Sequence, residues 1–270
     1  VFSLKKNRSK KQIKEPFRIE VIPFNQRPVN YWIKQYGVVD LAILYVLVGG
    51  LTFGYLQIIT VDLIKTTIFT LPFLIFFIYI LAQNKKIENY KDMTTNCMRY
   101  LNNMVFYLSG GNNILQTFEL TIETTSGELK DDIQRTLDEL NKTGELNTEH
   151  FKKYELPSLD QFHESLAIVY QEGTDDYDKI FVPIKDFMLL ELTKQDELRN
   201  SRNGFAKTYV FMLAGAMIMA PIFRFQAEEV YVKAFENVAW GYSVIGIYEA
   251  MIILSLYILM KIKADVSVRG

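Results

Sequence analysis

The chain has 270 residues, 49% of them hydrophobic, with 19 Phe and 16 Tyr. Its formal net charge of −1 hides two opposed blocks, a basic arm and an acidic middle. A single cysteine, Cys97, excludes an intramolecular disulfide framework and reads as a small buried residue.

Residues 1–36 are the arm: nine Lys and Arg stand against Glu15 and Glu20, a net +7. This start runs into a polar stretch rather than a short apolar core with a cleavage site, so the first apolar run is expected to stay as an anchor. The arm is expected to lie at the cytoplasmic face, either as a disordered tether or against anionic lipid.

Four apolar runs follow, at residues 38–59, 63–83, 205–223 and 239–260. Each has roughly the 20 residues a helix needs to cross the hydrocarbon core. They come as two close pairs, predicting transmembrane pairs over 37–83 and 206–260. Gly50 and Gly54 have the small-residue spacing of a close helix contact. Pro72 and Pro221 lie inside spans two and three, where neighbouring groups can satisfy the freed carbonyls. Trp32 and Trp240 precede spans one and four, where indole rings favour the interface. Lys85, Lys86 and Lys91 follow span two, Arg199, Arg202 and Lys207 bracket the entry to span three, and Lys261, Lys263 and Arg269 follow span four. This distribution places the N-terminus, the middle segment and the tail (261–270) in the cytoplasm of a multi-pass inner-membrane protein.

Glu249 lies near the middle of span four. An ionisable residue at that depth marks a functional contact by default. It reads as a protonated carboxyl bonded to another span, as a contact for a polar group on a partner helix, or as the lining of a hydrated cavity.

Residues 84–205 hold 14 Lys and Arg against 22 Asp and Glu, a net −8. Their apolar residues recur at helical spacing: Leu101, Val105 and Leu108; Ile114, Phe118 and Ile122; Ile133, Leu137 and Leu140; Leu159, Phe162, Leu166 and Val169. A last helix through Ile180, Ile184, Phe187, Leu190 and Leu198 is expected to run into span three. The fold class is therefore an all-α integral membrane protein, with four spans as two pairs flanking a cytoplasmic helical bundle.

Two turns are punctuated alike. "YLSGGNNILQTF" (107–118) and "YQEGTDDYDKIF" (170–181) share Y-x-x-G-x-[ND]-[ND]-x4-F. Glycine after a periodic run predicts a left-handed helix end, and Asn112 or Asn113 is placed to cap the next helix. The first turn has neither the Lys nor the preceding strand of a phosphate loop. Glu172, Asp175, Asp176 and Asp178 crowd the second, but without the order of a calcium loop; helix capping is the leading reading, with a weak divalent-cation site or a docking patch for a basic partner the lesser ones. His150 and His163 lie among charged residues and are expected at the surface. No zinc-ligand spacing or nucleophile motif is present, so no enzyme activity, metal or cofactor is expected.

The order of two spans, a helical domain of about 120 residues and two spans, carrying "LNNMVFYLSGGNNILQTFELT" and "YQEGTDDYDKIFVPIKDF", resembles the type II secretion F domain family, in its single-domain TadB/TadC form. The likeness covers residues 84–265, and its individual motifs are degenerate. It implies a membrane platform of a type IV pilus-like machine. Its partners would be a hexameric secretion ATPase, pilin-like subunits in the bilayer, and a second copy or paralogue, with no direct nucleic-acid contact. The turns at Gly110, Gly111, Asn112, Gly173, Asp175 and Asp176 would then meet the motor, and Glu249 the pilin helix. A small transporter or channel and a membrane-anchored signalling scaffold are the rival expectations.

Overall fold

The structure is a computed structural model that describes residues 22–60, 62–174, 176–236 and 238–264. Among these the regular secondary structure is helical, with no strand. A 3-10 turn (Phe24–Gln26) and α1 (Val29–Ile33) precede α2 (Val38–Thr60) and α3 (Leu63–Ser109). Then come α4 (Ile114–Thr124), α5 (Glu128–Thr143), a 3-10 helix (Glu149–Tyr154), α6 (Pro157–Glu172), α7 (Tyr177–Gln226), α8 (Glu228–Glu236) and α9 (Val238–Ala264). Four of these, α2, α3, α7 and α9, are long and apolar enough to cross a membrane, which makes the chain a multi-pass membrane protein.

Both α3 and α7 are longer than a bilayer needs. Span two and the first helix of the acidic middle are one unbroken helix of 47 residues, and α7 is one helix of 50. At 1.5 Å per residue each is roughly 70 Å long, more than twice the hydrocarbon thickness. They pack against each other, α3 also packs on α2 and α9, and α7 on α9.

The tight link between α2 and α3 is built from side chains. Asp62 caps α3 by accepting from the Ile64 amide at 2.9 Å, and Thr66 Oγ1 donates to Gln57 Oε1 at 2.8 Å. At the same end, the last carbonyls of α2 receive donors from other elements. The Arg224 guanidinium of α7 reaches the Gln57 and Ile58 oxygens, and Tyr231 of α8 donates to Ile59 at 2.9 Å. A cation at a helix C-terminus complements the dipole as well as the open carbonyls. Gly50 and Gly54 face open space; Gly49 is the residue whose missing side chain admits Leu74 of α3. The close helix contact thus lies one position round the helix from the spacing read in the sequence.

The second part of α3, with α4, α5, α6 and the start of α7, encloses the main core. Tyr100, Met104, Leu108, Phe118, Ile133, Phe151, Phe162 and Phe181 are all fully buried there. The helix ends follow local chemistry. Acidic Glu128 and Asp131 open α5, Lys142 closes it, and Gly144 takes the left-handed conformation (φ 71°) after it. Pro157 opens α6, where its missing N–H costs no hydrogen bond.

The last helix of the acidic middle runs on into span three as expected, within α7. Its buried positions are Phe181, Ile184, Met188, Gln195 and Ala206, while Phe187, Leu190 and Leu198 are exposed. Two expectations are corrected. Trp32 is buried with Phe24, Ala82 and Tyr90 against α3, its ring 5.0 Å from Phe24. The described part of the arm, residues 22–36, is accordingly folded and no tether. Arg27 makes a two-pronged ion pair with Glu128 (2.9 and 3.1 Å), Asn25 donates to Glu155 at 2.7 Å, and Tyr36 donates to the Leu81 carbonyl at 3.0 Å. Residues 1–21 of the arm and 265–270 of the tail lie outside the described residues.

His150 and His163 are the second correction, since both are buried in the core. His163 Nε2 is hydrogen-bonded to the Tyr100 hydroxyl at 2.9 Å, and its ring lies 4.3 Å from that of Phe151. His150 Nε2 lies 3.0 Å from the Asp132 carbonyl, which can only accept, so this nitrogen carries the proton. Burial lowers the pKa of both, that of His163 to about 3, and keeps them neutral.

Candidate functional site

The first repeated turn follows α3. The Gly110 amide donates to Phe106 and the Gly111 amide to Leu108, each at 3.0 Å. The left-handed residue is Gly111 (φ 86°), whereas Gly110, the position that aligns with Gly173, has an ordinary negative φ. Asn112 folds back, donating from both its amide and its side chain to the Tyr107 carbonyl. Asn113 is the cap of α4: it accepts from the Gln116 amide at 2.8 Å, and Gln116 accepts in return from the Asn113 amide at 3.4 Å. This reciprocal box satisfies two open donors at once. Phe118, one turn on, is fully buried and fixes the helix against the core.

The second turn has the same plan in different atoms. The Gly173 amide donates to Val169 at 2.9 Å, and its φ of 76° ends α6. Asp176 caps α7 by accepting from the Lys179 amide at 3.2 Å, and its other oxygen pairs with Lys179 Nζ at 2.7 Å. That pair holds the Asp176 carboxyl below its ordinary range. Phe181, the counterpart of Phe118, is fully buried.

The two turns also meet. Ser109 Oγ donates to Asp178 Oδ1, so the end of α3 is tied to the first turn of α7. Ser109 of the first turn and Asp178 of the second are both exposed at this contact. Two of the crowded carboxylates are engaged within the protein, Asp176 by Lys179 and Asp178 by Ser109. Among the described residues no three His, Cys, Asp or Glu side chains gather as a metal site, and Asp175 lies outside those residues.

No protein-family model, curated protein or solved structure matches this chain.

Glu249 is far from these turns, within α9. Its side chain is only 4% exposed, so it points into the group of spans rather than outward, and its Oε1 has no hydrogen-bond partner. Neighbouring Tyr248 shares a 2.6 Å hydrogen bond with Tyr55, whose hydroxyl also lies 2.8 Å from the Met217 carbonyl. These bonds link α2, α7 and α9 beside the glutamate. Arg224, towards the end of α7, is engaged by the carbonyls that end α2.

A feature invisible in the sequence is a chain of charges that fastens the arm to the domain. Lys153 lies between Glu128 and Asp132, 2.7 Å from each, Tyr154 donates to Asp132, and Arg27 completes the line at Glu128. Burial pushes the Glu128 carboxyl up, but Lys153 and Arg27 outweigh it and hold the group below its usual range. Partners 101 residues apart leave no local signal.

Proposed function

We propose that this chain is the membrane platform of a type II secretion or type IV pilus-like machine, of the single-F-domain TadB/TadC kind. In this reading the helical domain and both termini are cytoplasmic, the paired turns dock on a hexameric ATPase, and the spans act on pilin-like subunits. The role is mechanical, without catalysis by the chain itself.

One observation carries the reading: α3 and α7 each run unbroken from the membrane-spanning segments into the helical domain, packed together. A force applied at the far turns reaches the spans without crossing a flexible joint. The Ser109–Asp178 bond joins the two levers where the motor would push. The exposed apolar positions Phe187, Leu190 and Leu198 give α7 a face for a second copy. Because Glu249 is buried, its contact with a pilin helix requires the spans to part during the working cycle.

Replacing Glu249 by Ala tests the membrane half. The expected result is impaired assembly of the filament or secreted substrate at unchanged membrane levels; normal assembly removes Glu249 from the mechanism. The buried, unpartnered Glu249 Oε1 also favours a second reading, a small ion transporter. Ion flux into proteoliposomes that is abolished by Glu249→Gln supports that alternative and counts against the platform.

A further inference from the structure

Where α3, α7 and α9 meet at the end of the spans nearest the helical domain, a cleft of about 820 Å³ opens. Its mouth is polar: Asn84 of α3, Asn200, Asn203 and Lys207 of α7, and Lys263 of α9. Further along the spans, the wall turns apolar at exposed Phe211 and buried Leu259. Neither lysine has an ion-pair partner among the described residues. A second cleft, of about 310 Å³, lies among the spans with Phe73, Phe77 and Met217 on its wall. Val210 and Ala214 belong to the walls of both, so the two clefts adjoin.

The combined cavity is therefore amphipathic along its length. Two cations and three amides stand at the span ends nearest the helical domain, and an aromatic, aliphatic groove continues along the spans. Val210, Phe211 and Ala214 on its wall are exposed, so the cleft opens at the side of the spans, where a ligand can enter from the bilayer. Water suits the mouth but not the groove, which lacks the polar partners water needs. A free inorganic anion suits the lysines but leaves the groove unexplained. A diacyl phospholipid matches both parts, and two unpaired lysines favour a headgroup of net negative charge over a zwitterionic one. Basic pockets between transmembrane helices recognise anionic headgroups by this chemistry.

We propose that this cleft binds an anionic phospholipid, with the phosphate between Lys207 and Lys263 and one acyl chain passing Val210 and Ala214 into the second cleft. The lipid would wedge α3, α7 and α9 apart at a fixed spacing. The proposal stands on the cavity alone and does not depend on the platform reading.

The test uses the full-length protein, delipidated in a neutral detergent and studied by native mass spectrometry. Phosphatidylglycerol and phosphatidylcholine of identical chains are titrated separately, and inorganic phosphate in a third series. The expected result is retention of phosphatidylglycerol at concentrations about tenfold below those needed for phosphatidylcholine, with no retained inorganic phosphate. Lys207→Gln with Lys263→Gln removes that preference, while Lys261→Gln, on the same helix end but outside the cleft, keeps it. Ala214→Phe fills the junction between the clefts without touching either lysine and also lowers phosphatidylglycerol retention. Equal retention of the two lipids, an undiminished preference in the double variant, an equal loss in Lys261→Gln, or equal binding of inorganic phosphate each overturns the assignment.

Discussion

Ser109 Oγ donates a hydrogen bond to Asp178 Oδ1, and this one contact joins two turns that the chain builds on the same plan. It spans 69 residues of sequence, so it is a tertiary clasp rather than a local cap. Both residues are solvent-exposed, which limits its strength. Ser109→Ala and Asp178→Asn are each expected to destabilise the protein by about 0.5–1.5 kcal/mol. The double variant is expected to lose less than the sum, and a double-mutant cycle from detergent-phase unfolding measures the difference. Additive losses would mean that the two side chains do not interact in solution.

The glycines of the turns differ in what they tolerate. Gly111 and Gly173 have positive φ, and added methyl groups would meet no neighbour at either, so only the backbone resists substitution. Gly111→Ala is expected to cost about 1–2 kcal/mol through that strain. Gly110→Ala, at negative φ, is expected to cost less despite the aligned sequence position. Melting temperatures of the two alanine variants, compared in one detergent, decide the order.

Much of this was legible in the sequence, for physical reasons that the exceptions make clear. The spans announced themselves by length and composition, because lipid imposes one requirement on every residue of the run. Asn113 and Asp176 were readable because a cap is a contact between neighbours in sequence. The union of span two with the next helix was not legible: Lys85, Lys86 and Lys91 interrupt the apolar pattern without interrupting the backbone ladder. Which face of α7 turns inward was not legible, because ladders through Met188 and through Phe187 both have helical spacing. The buried histidines were misread because their partners, Tyr100 for His163 and Thr136 for His150, come from other helices. The fixed arm escaped for the same reason.

His163 gives the domain an acid-sensitive core. Its pKa is about 3 when folded against an ordinary 6.5, so the unfolded chain takes up the proton first as pH falls. The contribution of the neutral ring is fully present above about pH 6.5 and is lost as the pH drops toward 3. The expected slope in that window from this residue is at most about 1.4 kcal/mol per pH unit. His163→Phe removes the titration and leaves the Tyr100 hydroxyl without its partner. It is expected to lower stability at pH 7 by about 1–3 kcal/mol while flattening the acid limb. Thermal unfolding from pH 7 to pH 4 separates the two effects, and an unchanged slope would mean that His163 is already accessible to protons.

Arg27 holds the arm in place. Removing it breaks the two-pronged bond to Glu128, whose side chain is 46% exposed, so the stability loss from Arg27→Ala is expected to be only about 1 kcal/mol. The local effect is larger: the segment before α2 should become open to trypsin well before the core does. Limited proteolysis with N-terminal sequencing of the fragments checks this. Equal protection of the arm in both proteins would transfer its anchoring to Phe24 and Trp32.

The platform reading is tested most directly by binding. The full-length protein, held in nanodiscs, is titrated with its cognate hexameric secretion ATPase at low salt. Saturable binding is predicted, weakening as salt rises because the domain is acidic, and falling about tenfold when Asp176 and Asp178 are both replaced by Lys. No binding at low salt, or binding that is indifferent to those two charges, would contradict the account.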